Sequence, residues 1–156
     1  MTPFFAPVRS RQGGFTLLEI LVVLTVILLA TTIAAPRLNG VIAGQGTRGA
    51  IDQLTADITL ARTYAVREGF PASVKITSAT TYQVTVDTSA AAPKVVKTVR
   101  LQDDYAGVQL TPATGQLTFN TRGLLRTQEF TRVKATRGTA RDSVQISSIG
   151  RTYRDY

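Results

Sequence analysis

Neither cysteine nor histidine occurs anywhere in the 156 residues. Without cysteine there is no disulfide and no thiolate metal site. Without histidine there is no histidine-bound zinc, no Ser-His-Asp triad and no imidazole acid–base chemistry. No paired carboxylates stand in a catalytic frame. The glycines between Gly40 and Gly49, and Gly138-Thr139-Ala140, lack the Lys-Ser/Thr of a phosphate loop. Asp103-Asp104 is a bare pair, and a calcium loop needs several more oxygen ligands, so it reads as a solvated turn. The chain therefore reads as a non-enzyme with no cofactor. Acidic residues are also scarce. Ten Asp+Glu face 18 Lys+Arg, a formal charge of +8, which permits an anionic partner. The length argues for one small domain, and no internal repeat or low-complexity tract appears.

Charge of either sign is rarest between Phe15 and Ala35, where Glu19 stands alone in the run FTLLEILVVLTVILLATTIAA. As a helix this run rises roughly 32 Å, about one bilayer core. Arg9 and Arg11 precede it, which favours an amino end kept in the cytoplasm and a body on the far side of the inner membrane. A secretory signal peptide fits poorly, because its apolar core is shorter and ends at a small-x-small site. A plain signal anchor leaves Glu19 unexplained. An isolated carboxylate in hydrocarbon is costly and marks a functional position.

Gly14-Phe15-Thr16-Leu17-Leu18-Glu19, followed by Ile20-Leu21-Val22-Val23, resembles the class III signal of type IV pilins and type II secretion pseudopilins. The resemblance implies a prepilin peptidase that cuts after Gly14 and methylates the amine of Phe15. It makes Glu19 the fifth mature residue, the family's assembly glutamate. It also implies partners: other pilins or pseudopilins in a filament, and an inner-membrane assembly platform. Glycine before the cut leaves the backbone open to a protease. Cleavage removes both leading arginines and lowers the formal charge from +8 to +6. In a filament of side-by-side helices, Glu19 can pair with the Phe15 amine of a neighbour, so that neither charge is left alone.

Pro36 closes the apolar run and is expected to kink the helix. Gly40, Gly44, Gly46 and Gly49 predict a weak, partly melted junction over Arg37–Gly49. Ile51, Leu54, Ile58, Ala61 and Ala65 then recur at helical spacing, with Asp52, Asp57, Arg62, Arg67 and Glu68 mostly off that face. This amphipathic helix should end near Gly69, with Pro71 just beyond. From Ala72 the period becomes two. Seven short strands are expected around 73–77, 82–87, 94–101, 108–110, 116–119, 132–134 and 144–146, separated by breaks at 78–80, 89–93, 112–115 and 136–140. The expected fold is α+β. A long amino-terminal helix, with a membrane-spanning half and an amphipathic half, packs on a small antiparallel β domain in the lollipop form of the pilin family. The divisions are a leader at 1–14, a transmembrane and filament-core helix at 15–35, a helix continuation with its glycine-rich junction at 36–69, and a β-rich body at 70–156.

The carboxyl half resembles the GspH/FimT-type minor pilin domain through Gly115-Gln116-Leu117-Thr118-Phe119-Asn120-Thr121-Arg122-Gly123 and through Ser143 to Ile149 followed by Gly150-Arg151-Thr152-Tyr153-Arg154. The absence of cysteine and of a calcium loop also turns the reading away from major pilins and major pseudopilins. The resemblance implies a minor pilin or pseudopilin that helps initiate or cap a type IV pilus or a type II secretion pseudopilus. The alternative is a DNA-binding minor pilin of a competence pilus. DNA-binding members carry Gly-Arg-x-Arg where this chain has Gly-Arg-x-x-Arg, one residue longer. From residue 115 onward eight basic side chains outnumber three acidic ones. Arg137, Arg141, Arg151 and Arg154, beside Gly138 and Gly150, are the candidate phosphate contacts, since turn arginines reach a backbone without reading sequence. Tyr153 and Tyr156 could stack on single-stranded bases.

Overall fold

The computed structural model of the chain describes residues 14–88 and 92–155, without the side chains of 33–38 and 155. The leader residues 1–13 with Arg9 and Arg11, residues 89–91 of the expected 89–93 break, and Tyr156 lie outside the described residues. Two compact units divide the chain, 1–37 and 38–156, and one helix, α1 (Leu17–Glu68), contributes to both.

In the first unit α1 starts at a cap that the sequence spells out. Thr16 Oγ1 accepts the Glu19 N–H at 3.2 Å, and the Thr16 carbonyl accepts the Ile20 N–H at 3.2 Å. Thr16-x-x-Glu19 has the spacing of a capping box, and Glu19 in the first turn also suits the positive end of the helix dipole. Leucine, isoleucine and valine from Leu17 to Leu29 are exposed on every side of the helix. Three threonines of the apolar run return their hydroxyl protons to the helix. Thr25, Thr31 and Thr32 donate to the carbonyls of Leu21, Leu28 and Leu29 at 2.8, 2.9 and 2.8 Å, which suits surroundings without water. Among the described residues no helix is long and apolar enough to cross a membrane. The apolar part with described side chains, residues 17–32, rises about 24 Å against a bilayer core of about 30 Å.

The junction expected to be weak and partly melted is helical along its length. α1 continues through Pro36 and the glycines to Glu68. Two of those glycines make room for neighbours. A Cβ on Gly49 would sit 2.6 Å from the Tyr105 ring, and one on Gly46 would sit 3.4 Å from the Arg137 guanidinium. Beyond them Ala50, Ile51, Leu54, Ile58, Ala61 and Ala65 are all buried, as the helical spacing requires. Gly69, at φ +73°, ends the helix in the left-handed conformation usual past a C-terminus.

Two antiparallel sheets share a core with that helix face. The first is built from β1 (Ala72–Ser78), β2 (Thr81–Val86), β3 (Lys94–Arg100), β5 (Gly115–Phe119) and β6 (Leu125–Gln128), in the order β3-β2-β1-β5-β6. The second holds β4 (Gln109–Thr111), β7 (Arg132–Arg137), β8 (Ala140–Ile146) and β9 (Thr152–Asp155), in the order β4-β7-β8-β9. Alternation sends Val74, Ile76, Tyr82, Val84, Leu117 and Phe119 inward from the first sheet, and Leu110, Val133, Ala135, Val144 and Ile146 from the second. The polar positions of the first sheet pair across strands, as where Ser73 Oγ lies 3.0 Å from Thr118 Oγ1.

Nine strands stand among the described residues where seven were expected. β6 and β9 escaped because neither alternates. Leu125 is the one aliphatic residue of β6, and β9 reads Thr-Tyr-Arg-Asp. Their strand form comes from pairing with β5 and β8, not from local preference. Leu101, expected to close a strand, instead starts a single helical turn, α2 (Leu101–Asp104), which holds Asp103 and Asp104. The break at 136–140 shrinks to Gly138-Thr139, since Arg137 pairs with Ala140.

Candidate functional site

Two regions gather the sequence-predicted residues. The first is the start of α1. Gly14, Phe15 and Thr16 precede the helix. Nothing comes within 4 Å of where a Gly14 Cβ would stand, and Phe15 is 80% exposed. The bond between Gly14 and Phe15 thus lies outside the helical hydrogen-bond ladder. Glu19 is exposed on the first turn, the one ionisable side chain on an otherwise apolar surface.

The second region is the carboxyl-terminal sheet, where the four candidate arginines do not form one patch. Arg154 points inward from β9. Its guanidinium meets Asp142 at 2.6 Å and Asp52 of α1 at 3.0 Å, tying the last strand to β8 and to the helix. Arg137 lies against Gly46 and Gly107. Arg151 is exposed just before β9. Arg141 belongs to a different group. Register places it opposite Thr136, with Lys134 opposite Ser143 and Arg132 opposite Gln145. These residues occupy the face opposite buried Val133 and Ala135. Arg132, Lys134 and Arg141, together with Asp142, line a shallow concavity of about 520 Å³ there. Tyr153 pairs with Gln145 and joins that face at 52% exposure. The expected grouping of Arg137, Arg141, Arg151 and Arg154 is therefore changed: Arg154 is tied to Asp142 and Asp52, and Arg132 and Lys134 accompany Arg141.

Sequence reading also missed a buried polar cluster. Asp57, placed off the buried face by its charge, is 2% exposed. Its carboxylate accepts from the Tyr82 hydroxyl at 2.7 Å, from Lys97 Nζ at 2.7 Å and from Gln53 at 3.0 Å. Burial, together with the hydrogen bond to Asp57, pushes the Tyr82 phenol far above its ordinary value. A tyrosine held neutral and a carboxylate held by an ammonium make an internal brace between α1 and the first sheet. Among the described residues no three acidic, histidine or cysteine side chains gather where a metal could sit.

The second half of α1 with two antiparallel sheets packed on it makes an α+β body. Residues 50–150 match the family described as Type II transport protein GspH, and residues 9–35 match the prokaryotic N-terminal methylation motif. The first match covers well over half of the chain, and the chain belongs to the GspH family. Two crystal structures of the type IV minor pilin FimU of Pseudomonas aeruginosa, strain PAO1, share the fold at 20% identity. In space group P21 the match covers 70% of this chain and 88% of that one, with a TM-score of 0.56. In P65 it covers 70% and 92%, with a TM-score of 0.51. A search of curated proteins finds no match.

Proposed function

We propose that the chain is a minor pilin or pseudopilin, a non-catalytic subunit that helps initiate or cap a type IV pilus or a type II secretion pseudopilus. A prepilin peptidase cuts it between Gly14 and Phe15 and methylates the Phe15 amine. Before assembly it crosses the inner membrane once through residues 15–35, with the body outside the cytoplasm, where the assembly platform and other pilins take it up. The observation that carries this reading is the apolar surface of α1 from Leu17 to Leu29, open on all sides. Withdrawing those side chains from water is worth on the order of 20 kcal/mol, so lipid or neighbouring helices must cover them. The test is co-expression with a prepilin peptidase and mass measurement of the product. The expected product begins at methylated Phe15. A chain that keeps Met1, or one cut near Ala35, contradicts the proposal.

A second reading, DNA uptake, is favoured by the shared face of Arg132, Lys134 and Arg141. Three phosphate contacts would make log affinity fall against log salt with a slope of about −2.7, without sequence preference. Reversing Arg132, Lys134 and Arg141 to glutamate should abolish a mobility shift of duplex DNA. Arg154→Glu is a poor probe, because it breaks the Asp142 and Asp52 pairs. No complex with the parent chain at low salt would remove this reading and leave the filament role intact.

A further inference from the structure

The first sheet ends at β3, which has β2 on one side and no described strand on the other. An open edge offers backbone N–H and C=O groups to any extended chain, and proteins usually guard such edges with charge, proline or a covering loop. Here the guards are a bulge and positive charge, and positive charge does not exclude an acidic strand. A register shift opposite Val84 and Thr85 leaves Val96 without a partner on β2, and its neighbour Val95 is 48% exposed. Beside this edge, the end of α1 and β3 enclose a groove of about 450 Å³, floored by Tyr64, Phe70, Val86, Val95 and Val96. Phe70 is 37% exposed.

The other sheet edges differ. β6 is held to β8 by the Gln128 side-chain N–H to Ile146 carbonyl bond, β4 is tied to the β1–β2 turn through the Leu110 N–H to Ala79 carbonyl bond, and β9 carries both signs of charge. The charges on β3 are Lys94, Lys97 and Arg100, with no acid among them. Lys97 is spent on Asp57, which leaves Lys94 and Arg100 to set the sign of the edge. At the groove rim Arg67 and Glu68 cancel each other at 2.8 Å.

We infer that the β3 edge is a docking site for an extended acidic segment of another protein subunit. The segment adds as a sixth strand. Its backbone pairs with β3, an alternate apolar side chain enters the groove over Phe70 and Val95, and its carboxylates meet Lys94 and Arg100. Strand addition of this kind draws affinity from the main chain and selectivity from the pocket.

The absence of cysteine makes the test direct. Val95→Cys and, outside the groove, Val66→Cys each give the full chain in detergent one thiol, at positions 48% and 55% exposed. The probe is a blocked seven-residue peptide of alternating valine and threonine, with glutamate at both ends and a central cysteine supplied as its mixed disulfide with glutathione. Exchange expels glutathione and joins peptide to protein. Two opposite-charge contacts turned to like-charge ones change trapping by about tenfold. The expected result is that Val95→Cys traps the glutamate-ended peptide about tenfold faster than the lysine-ended one, and faster than Val66→Cys traps either. Equal rates at both positions, or indifference to the peptide's charge, overturn the proposal. So does a Val95→Cys dimer forming in preference to the peptide adduct, which would make a second copy the occupant.

Discussion

Replacing Glu19 with alanine is expected to remove the chain from filaments while leaving it in the membrane. The substitution makes the segment more apolar, so insertion persists, and the Gly14–Phe15 bond is unchanged, so processing persists. What the proposed pairing would lose is the partner for a neighbour's Phe15 amine. Stranding one charge of a buried pair costs about 3–5 kcal/mol, a loss of a hundredfold or more in equilibrium incorporation. The Thr16 cap does not depend on the carboxylate, because Thr16 Oγ1 accepts from the backbone N–H of Glu19. The α1 start should therefore survive in Glu19→Ala. Comparison of sheared filaments with membranes by immunoblot checks this. Normal incorporation of the variant would contradict the pairing.

Gly150→Ala is expected to destabilise the body more than any other glycine-to-alanine change near the carboxyl end. The residue has φ +78°, and an added Cβ would stand 2.6 Å from the ring of Phe119, which is completely buried. The left-handed conformation costs about 1–3 kcal/mol for a residue with a side chain, and crowding a packed ring costs a similar amount. A total of about 3 kcal/mol lowers the melting temperature by roughly 10 °C in a body of this size. Gly44→Ala is the control, since nothing lies within 4 Å of its Cβ position and alanine favours the helix by about 1 kcal/mol. Circular dichroism melts of the full chain in detergent compare them. An unchanged melt for Gly150→Ala would contradict the packing. This glycine, quoted from sequence as the lead-in to an arginine motif, is held by the shape of the core beneath it.

What could be read in advance follows from how local each signal is. The helix face at Ile51, Leu54, Ile58, Ala61 and Ala65 was legible because periodicity is a local property and the body buries that face. Asp57 was not. Its burial depends on Tyr82 and Lys97, 25 and 40 residues away, and a charge without visible partners reads as solvated. The glycines at 46 and 49 looked like a soft junction because composition says nothing of Arg137 and Tyr105 coming up against them. The arginines were grouped by closeness to glycine along the chain. Strand register groups them differently, putting Arg141 with Arg132 and Lys134 and turning Arg154 toward Asp142 and Asp52. The methylation motif matched over residues 9–35 is local in the same way, since Gly14 to Glu19 stand consecutively in the chain.

The filament role is tested most directly by mass spectrometry of sheared, purified filaments from cells that express the chain. The account predicts that the chain is recovered there, at low abundance beside a major subunit, with its first residue the methylated Phe15. Recovery solely in the membrane fraction, or in filaments with the leader still attached, would contradict it.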